Sequence, residues 1–204
     1  HWKKTLGGYL LFLKNEIDDW LRQLDSGETV DLPLLKQFLK THFFSTFAVE
    51  DLQAETRDER LKALLHRPIR VCGVVINEGE PGGAPIWLQN QPCPQIVESV
   101  EIDHDNESQH ALFQQSTHFN PVDIAITLTD HNGHRFDLTR FRDENACFVA
   151  KKPYENREIT VLEHPGLWNG AMAGHLSTYI EVPASTFTPV KTAFDLLRPA
   201  HLGD

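Results

Sequence analysis

Near the start of the chain, apolar residues recur at steps of three and four, as on one face of an amphipathic helix. Over residues 5–25 these positions are Leu6, Leu10, Leu13, Ile17, Leu21 and Leu24. Ser26-Gly27 follows as a helix-ending pair. A second helix is predicted after Asp31-Leu32-Pro33, and a third over 49–65. The pattern therefore predicts a helical region over residues 1–66.

The pattern changes at Arg67-Pro68, where short β-branched apolar runs replace the helical periodicity. Residues 69–76 (IRVCGVVI) are almost continuously apolar, which is typical of a strand buried on both faces. Further runs predict strands over 95–102, 122–128, 147–150, 158–162 and 178–182. Residues 130–133 (DHNG) indicate a turn, and 191–197 a short closing helix. We therefore expect a mixed α/β domain over residues 67–204, with the helical region as its N-terminal layer.

The net charge limits the kinds of partner that the chain can be expected to bind. The formal net charge is −10. Because binding to nucleic acid or to an anionic membrane requires a basic face, we expect neither partner. No apolar run reaches the roughly 18 residues of a membrane span. The chain begins at His1 and its one methionine is Met172, which predicts that processing, a chosen boundary or fragmentation removed an upstream part.

The cysteines are Cys72, Cys93 and Cys147, an odd and widely spaced set. They form neither a disulfide framework nor a CxxC metal motif. Cys72 and Cys147 lie in apolar runs, so we expect both thiols to be buried. A reducing, cytoplasmic compartment fits this cysteine usage best.

Two polar segments are candidates for binding a ligand. Residues 77–83 (NEGEPGG) contain three glycines, which allow backbone amides to approach a ligand closely. A flexible surface loop explains this segment equally well. In the predicted strand 95–102, alternation separates Glu98 from Val97 and Ser99. A carboxylate in that place suits the hydroxyl groups of a sugar, although an edge strand with one solvated face has the same pattern.

Two later segments also carry candidate chemistry. In 116–123 (STHFNPVD), Asn120 and Asp123 offer oxygens suited to a ligand or to Mg²⁺, and an Asn-Pro turn with a cap is the alternative. In 187–192 (FTPVKT), Lys191 is surrounded by apolar residues after a predicted strand. A lone lysine is usually a solvated charge, but this setting favours one directed at a ligand.

Two weaker patterns are interpreted differently. His131 and His134 form an HxxH pair inside the predicted Asn-Gly turn, and no cysteine or acidic partner is spaced to complete a zinc site. We therefore predict a turn. Residues 168–172 (WNGAM) suit either a binding loop or a helix N-terminus, and their spacing does not decide between them.

Five segments together resemble a bacterial family catalogued as domain of unknown function 4301. They are RVCGVVINEGEPGGAP, QIVESVEID, STHFNPVD, PGLWNGAMA and FTPVKTAFDLLRP. The resemblance, to the C-terminal part of the family, covers nearly all of residues 66–200, and residues 3–15 are similar to the family's helical region.

That family in turn resembles the UDP-sugar pyrophosphorylases. Phe187, Pro189, Val190 and Lys191 match their F-x-P-hydrophobic-K pattern, in which the lysine contacts the phosphates. QIVESVEI is similar to their strand whose glutamate faces the sugar, which implies the same role for Glu98. The resemblance implies, more weakly, that Asn120 also borders the sugar. The implied fold is the C-terminal part of a nucleotidyltransferase-like (GT-A/Rossmann-like) mixed sheet.

The resemblance implies a function and also a missing part. The intact protein would join a sugar 1-phosphate to a nucleoside triphosphate and release pyrophosphate, with Mg²⁺ as cofactor. Lys191 would be catalytic, Gly82, Gly83, Glu98 and Asn120 would bind the sugar, and Asp123 would be a metal ligand. The glycine-rich nucleotide loop and the metal-binding acidic residue of those enzymes lie in an N-terminal half that these residues do not include. We therefore expect the fragment alone to be inactive; a non-catalytic sugar- or nucleotide-binding module is the alternative.

Overall fold

The elements of the chain follow the predicted change from helices to strands. The computed structural model describes residues 1–48, 52–53, 55–78, 82–89, 91–103, 105–119, 122–164, 174–190 and 192–202. In chain order the elements are α1 (Trp2–Ser26), α2 (Leu32–Phe43), α3 (Arg57–Leu65), β1 (Ile69–Val74), β2 (Ala84–Ile86), β3 (Gln95–Val97), α4 (Glu107–Gln114), β4 (Asp123–Ile126), β5 (Phe148–Tyr154), β6 (Arg157–Glu163), β7 (Leu176–Glu181) and α5 (Pro199–Leu202). The mixed α/β class is confirmed. Among the described residues, no helix has the length and apolar character that crossing a membrane requires.

The first two helices form where the sequence pattern predicted them. The six periodic leucine and isoleucine positions of α1 are all buried. The helix ends at Gly27, whose φ of 76° is a left-handed conformation that glycine adopts without a Cβ clash. Asp31 caps α2, because its carboxylate accepts a hydrogen bond from the Leu34 amide at 3.0 Å. The third helix begins at Arg57, later than the predicted residue 49.

Strand β1 is the centre of a three-stranded sheet of order β4-β1-β7. It pairs with β4 antiparallel and with β7 parallel. Every residue of β1 is buried, which confirms a strand covered on both faces over residues 69–74, but the strand ends at Val74 and Ile76, the last residue of the predicted run, is exposed. Helix α1 packs on one face, where Gly73 gives it room: a Cβ at Gly73 would lie 2.9 Å from Leu6 Cδ1.

The other face of the sheet carries a buried polar network. The Arg70 side chain is 0% exposed and donates from Nη2 to Gln95 Oε1 at 2.8 Å and to Ser177 Oγ at 3.0 Å. Gln95 is the first residue of β3, which pairs with β2 in an antiparallel ribbon. The network therefore fixes the β2–β3 ribbon against the sheet.

The structure corrects a predicted strand and the predicted burial of Cys147, and it adds two elements. The strand predicted over 95–102 ends at Val97, because Glu98 begins a 3-10 turn (Ser99–Glu101) in which the Glu101 carboxylate accepts from the Glu98 amide at 2.7 Å. Strand β2 and helix α4 were not predicted. Cys147 is exposed, not buried, since it precedes the two-stranded ribbon β5–β6, whose side chains are largely in solvent.

Helices and sheet share one hydrophobic core. Leu13 and Leu21 of α1, Leu35 of α2 and Leu65 of α3 belong to the same buried cluster as Val71 of β1. The helical layer thus packs directly on the strands. The predicted boundary at residue 66 is therefore a change of secondary structure, and the residues on either side of it are packed together.

Candidate functional site

Several predicted segments meet at the carboxyl end of β1. Because β7 is parallel to β1, both strands end at the same edge of the sheet, and the antiparallel β4 begins there. The Asn77 amide donates to the Thr117 carbonyl at 3.0 Å, and the Phe119 amide donates to the Val75 carbonyl at 2.9 Å. Asn77 and residues 117–119, which are distant in sequence, are therefore adjacent.

The segment that precedes Lys191 joins the same place. The rings of Phe119 and Phe187 lie 5.1 Å apart between centroids. The Val182 amide, just after β7, donates to the Val74 carbonyl at 2.8 Å. We call the set Asn77, Thr117, Phe119, Asp123 and Phe187 the carboxyl-end group.

Of the predicted site residues, Asp123 belongs to this group. It opens β4 opposite Gly73, and its side chain is 26% exposed. Its Oδ1 lies 3.4 Å from the Nζ atom of Lys3, so the carboxylate already has one cationic partner. Asn120, Lys191 and the segment 168–172 lie outside the described residues.

The other predicted residues lie together at one end of the β2–β3 ribbon. Ala84 pairs with Val97, so Gly83 and Glu98 continue the ribbon side by side. Gly83 is buried, while Gly82 and Glu98 are half-buried. Burial raises the pKa of the neighbouring Glu101, although the hydrogen bond from the Glu98 backbone opposes this rise. The structure thus brings Gly82, Gly83 and Glu98 to one another, and Asp123 to the carboxyl-end group.

The opposite, amino end of β1 carries a cluster that the sequence patterns did not reveal. Residues 130–134 form the predicted turn, in which Asp130 Oδ1 accepts from the amides of Asn132 and His134, each at 2.9 Å. The Asp130 Oδ2 atom lies 3.4 Å from Nε2 of His66, at the end of α3. The His131 Nε2 atom lies 2.7 Å from Asp25 Oδ2, at the end of α1.

The fold therefore gives the HxxH pair acidic partners that its sequence spacing did not indicate. Asp25 and Asp130 both provide carboxylates, but Asp25 and His66 are far from the turn in sequence and reach it only through the packing of α1 and α3. The one signal in the sequence was Asp130, which directly precedes the HxxH pair.

The Asp130 carboxylate is ionised at neutral pH. Burial favours the protonated form, but hydrogen bonds from the His134 and Asn132 amides and from the His66 ring outweigh it and lower the pKa of Asp130 to about 2. At the amino end of β1, the negative charge of Asp130 therefore faces the imidazole rings of His66 and His134.

Comparison with known proteins places the chain in a family without defining an activity. No curated protein matches it at a significant level. A family model described as "Domain of unknown function (DUF4301)" matches residues 1–202, so the match takes in the helices as well as the strands. The chain belongs to the DUF4301 family.

Proposed function

We propose that this chain provides the sugar-binding part of a sugar-1-phosphate nucleotidyltransferase-like protein. The observation that carries the proposal is that described residues of three segments meet at the carboxyl ends of the parallel strands β1 and β7: the Asn77 amide donates to the Thr117 carbonyl, and the rings of Phe119 and Phe187 are in contact. Open α/β sheets bind their ligands in the crevice outside the carboxyl ends of parallel strands. The position of these residues therefore supports a ligand site at this end of the sheet.

The proposed reaction transfers a nucleotidyl group. An oxygen of the sugar phosphate attacks the α-phosphorus of the nucleoside triphosphate, a new P–O bond forms, and the bond to the β-phosphate breaks with release of pyrophosphate. Such transfers depend on positioning and on neutralising phosphate charge. We assign that neutralisation to the Lys191 ammonium group.

The remaining assignments concern the sugar. Glu98 accepts hydrogen bonds from sugar hydroxyls, and the Gly82-Gly83 backbone, which has no Cβ atoms to keep a ligand away, donates to its oxygens. We assign Asn120 to the same sugar on the resemblance alone. These roles require the ribbon end and the carboxyl-end group to face one ligand.

Magnesium is part of the proposal only through Asp123. Mg²⁺ is commonly held by one or two carboxylates together with substrate phosphates and water, and it would supply charge neutralisation at the phosphates. Asp123 offers one partly exposed carboxylate at the carboxyl end of β1. One carboxylate, together with substrate phosphates and water, would be enough to hold the ion. We therefore expect the reaction to require Mg²⁺.

The test measures pyrophosphate release by the full-length protein with a panel of hexose 1-phosphates, the four ribonucleoside triphosphates and Mg²⁺. The proposal expects release for one combination and roughly a 100-fold lower kcat for Lys191→Ala, because a lost phosphate-stabilising contact costs about 3 kcal/mol in the transition state. The matched control is Lys151→Ala, which removes an exposed lysine from β5 and should leave kcat unchanged.

Calorimetry with the same ligands separates the alternatives. Saturable binding of a sugar nucleotide without pyrophosphate release at any metal concentration would replace the enzyme with a non-catalytic binding module. If neither binding nor release occurs with the full-length protein, both functions are wrong. We expect the 204-residue chain by itself to show no turnover.

A further inference from the structure

Three side chains at the amino end of β1 are arranged like the ligands of a metal ion. His66, Asp130 and His131, which we call the histidine cluster, each place one ligand atom within 4.8 Å of the other two. They come from the end of α3 and from the turn after β4, so only the folded chain brings them together. Two imidazoles and one carboxylate form a donor set typical of zinc and of other divalent transition metals.

His131 provides the second, independent observation. Its side chain is 6% exposed, and its Nε2 lies 2.7 Å from the Asp25 carboxylate. Nε2 also lies 3.0 Å from Nδ2 of Asn132, but an ionised carboxylate can only accept, so the shorter contact with Asp25 assigns the proton to Nε2 and leaves a lone pair on Nδ1. That Nδ1 is buried, and it has no hydrogen-bond partner among the residues that the structure describes. Buried polar atoms are nearly always satisfied, so this lone pair indicates a missing partner.

The pairing with Asp25 is the arrangement that metal-binding histidines usually have. A carboxylate that accepts from one ring nitrogen fixes the tautomer and directs the other nitrogen at the metal. Asp25 is itself held by Lys62, whose Nζ lies 2.7 Å from the other carboxylate oxygen. The ring orientation of His131 is therefore fixed from outside the cluster.

Asp130 divides its two oxygens between two tasks. Oδ1 accepts the two amides that form the turn, while Oδ2 faces the cluster and also lies 3.5 Å from Nδ1 of the exposed His134. Oδ2 and His66 Nε2 are 3.4 Å apart. Two ligand atoms on a tetrahedral zinc ion are separated by about 3.3 Å when the metal–ligand bonds are about 2.0 Å. This pair needs almost no movement to share one ion.

The lysine that contacts Asp130 is neutralised by another carboxylate. Lys14 donates to the Asp130 carbonyl at 3.3 Å, but its ammonium group is paired with Asp18 at 2.5 Å. His66 is 44% exposed, so the cluster is open to solvent on that side. An ion has a route of entry there, and water can fill a fourth position.

We propose that His66, Asp130 and His131 bind one divalent transition-metal ion, with Asp25 as the positioning residue behind His131. A plain ion pair explains the contact between His66 and Asp130 but leaves the buried Nδ1 of His131 without a partner. The site lies at the end of β1 opposite the carboxyl-end group, so it does not depend on the function proposed there.

The first experiment uses the full chain, stripped with EDTA and titrated with Zn²⁺ and Co²⁺. We expect one equivalent of either ion to bind, a rise in Tm, and a visible Co²⁺ spectrum of a low-coordinate nitrogen–oxygen site. Asp25→Asn should weaken binding by about 10- to 100-fold while the three ligands remain. His66→Gln and His131→Gln should weaken it further, and the matched control His110→Gln, on α4, should bind as the wild type does.

Folded His66→Gln and His131→Gln variants that bind Zn²⁺ with wild-type affinity would overturn the proposal, as would a wild-type chain that binds no stoichiometric ion. A measurement on the wild type alone covers the case in which the variants do not fold. Zn²⁺ should protect His66, which is 44% exposed, from diethylpyrocarbonate while His110 remains reactive. Equal reactivity of His66 with and without Zn²⁺ would exclude the site.

Discussion

The two ends of β1 carry two different kinds of candidate site. At the carboxyl end, loops and backbone hydrogen bonds bring polar segments together, such as the bond from Asn77 to Thr117. At the amino end, individual side chains from α1, α3 and a turn converge: Asp25, His66 and His131. The first arrangement leaves contiguous motifs in the sequence, whereas the second leaves single residues separated by long intervals.

Helix α1 connects the two ends. Lys3 near its start lies 3.4 Å from Asp123 at the carboxyl end of β1, and Asp25 at its end contacts His131. Between them, α1 packs on β1 through buried apolar residues. A change in this helix should therefore disturb both ends, and a change at one end should spare the other.

The largest effect is expected from Leu13→Ala in the middle of α1. Leu13 is 0% exposed, and deleting a fully buried leucine side chain costs roughly 2–5 kcal/mol because it loses apolar burial and leaves a cavity. Urea denaturation should show this loss in the free energy of unfolding. Zn²⁺ binding and sugar-phosphate binding should both weaken near the new midpoint.

The matched control for this prediction is Leu11→Ala on the same helix. Leu11 is 62% exposed, so its truncation should change the free energy of unfolding by less than about 0.5 kcal/mol. Equal losses for the two variants would mean that α1 does not pack on the sheet as described.

A smaller effect is expected from Gln95→Ala, which concerns the ribbon rather than either end of β1. The substitution removes the oxygen that accepts from Arg70 Nη2 at 2.8 Å, and a poorly satisfied buried guanidinium costs roughly 1–3 kcal/mol. If Glu98 and Gly83 bind the sugar, loosening the ribbon should also reduce sugar-phosphate affinity, while Zn²⁺ affinity stays the same.

Gln89→Ala is the control, because Gln89 is exposed in the segment between β2 and β3. Calorimetry with both ligands on both variants makes the comparison. A fall in Zn²⁺ affinity for Gln95→Ala alone would show that the two ends of β1 are coupled through the ribbon.

The sequence predicted the framework of the fold well because its periodicity reflects burial. The apolar spacing of α1 and the continuous apolar run of β1 both follow from which side chains face the core. It predicted β3 less well, since alternation continues through residue 102 although the Glu98–Glu101 contact turns the chain after Val97. Local hydrogen bonds of this kind leave no periodic signal.

The two candidate sites also differ in how far the sequence could predict them. Asp123 and the segments around Asn77 and Phe187 were recognised as contiguous motifs, and the structure brings these segments together. The HxxH pair was assigned to a turn, which is confirmed, but the partners Asp25 and His66 could not be found from spacing. Their proximity to His131 follows from the packing of α1 and α3.

A modest loss in the free energy of unfolding is expected from Asp130→Ala, measured in EDTA so that no metal ion is bound. This substitution removes the oxygen that accepts from the Asn132 and His134 amides, and it should cost about 1 kcal/mol because those amides remain partly solvated. Asp130→Asn keeps an oxygen that can accept both amides but loses the charge for which the fold lowers the pKa to about 2, so its free energy of unfolding should fall, though less than that of Asp130→Ala. Both variants should lose Zn²⁺ affinity.

This pair of variants separates the turn from the metal site. Chemical denaturation of each variant, with and without one equivalent of Zn²⁺, gives both quantities. Full Zn²⁺ stabilisation of Asp130→Asn would remove Asp130 from the ligand set and leave it only as a turn residue.

The smallest effect concerns the reactivity of the cysteine thiols. It shows whether β1, the strand between the two ends, stays buried in the folded protein. Cys72 lies in the middle of β1, and burial raises the pKa of its thiol to about 11, so little thiolate exists at pH 8. Cys93 is also buried, and burial raises its pKa as well. Cys147 is exposed. In metal-free buffer at pH 8, a thiol reagent should therefore label one cysteine rapidly and the other two only as the chain unfolds.

Cys147→Ser should abolish the rapid phase and change the free energy of unfolding by less than about 0.5 kcal/mol, because an exposed thiol contributes little to packing. In Leu13→Ala the slow phase should become faster, since Cys72 reacts through opening of the sheet. Rapid labelling of Cys72 in the wild type would mean that β1 is open to reagent in the native state. In that case β1 would not be a permanently buried strand that links its two ends, and the structure at each end would have to be tested separately.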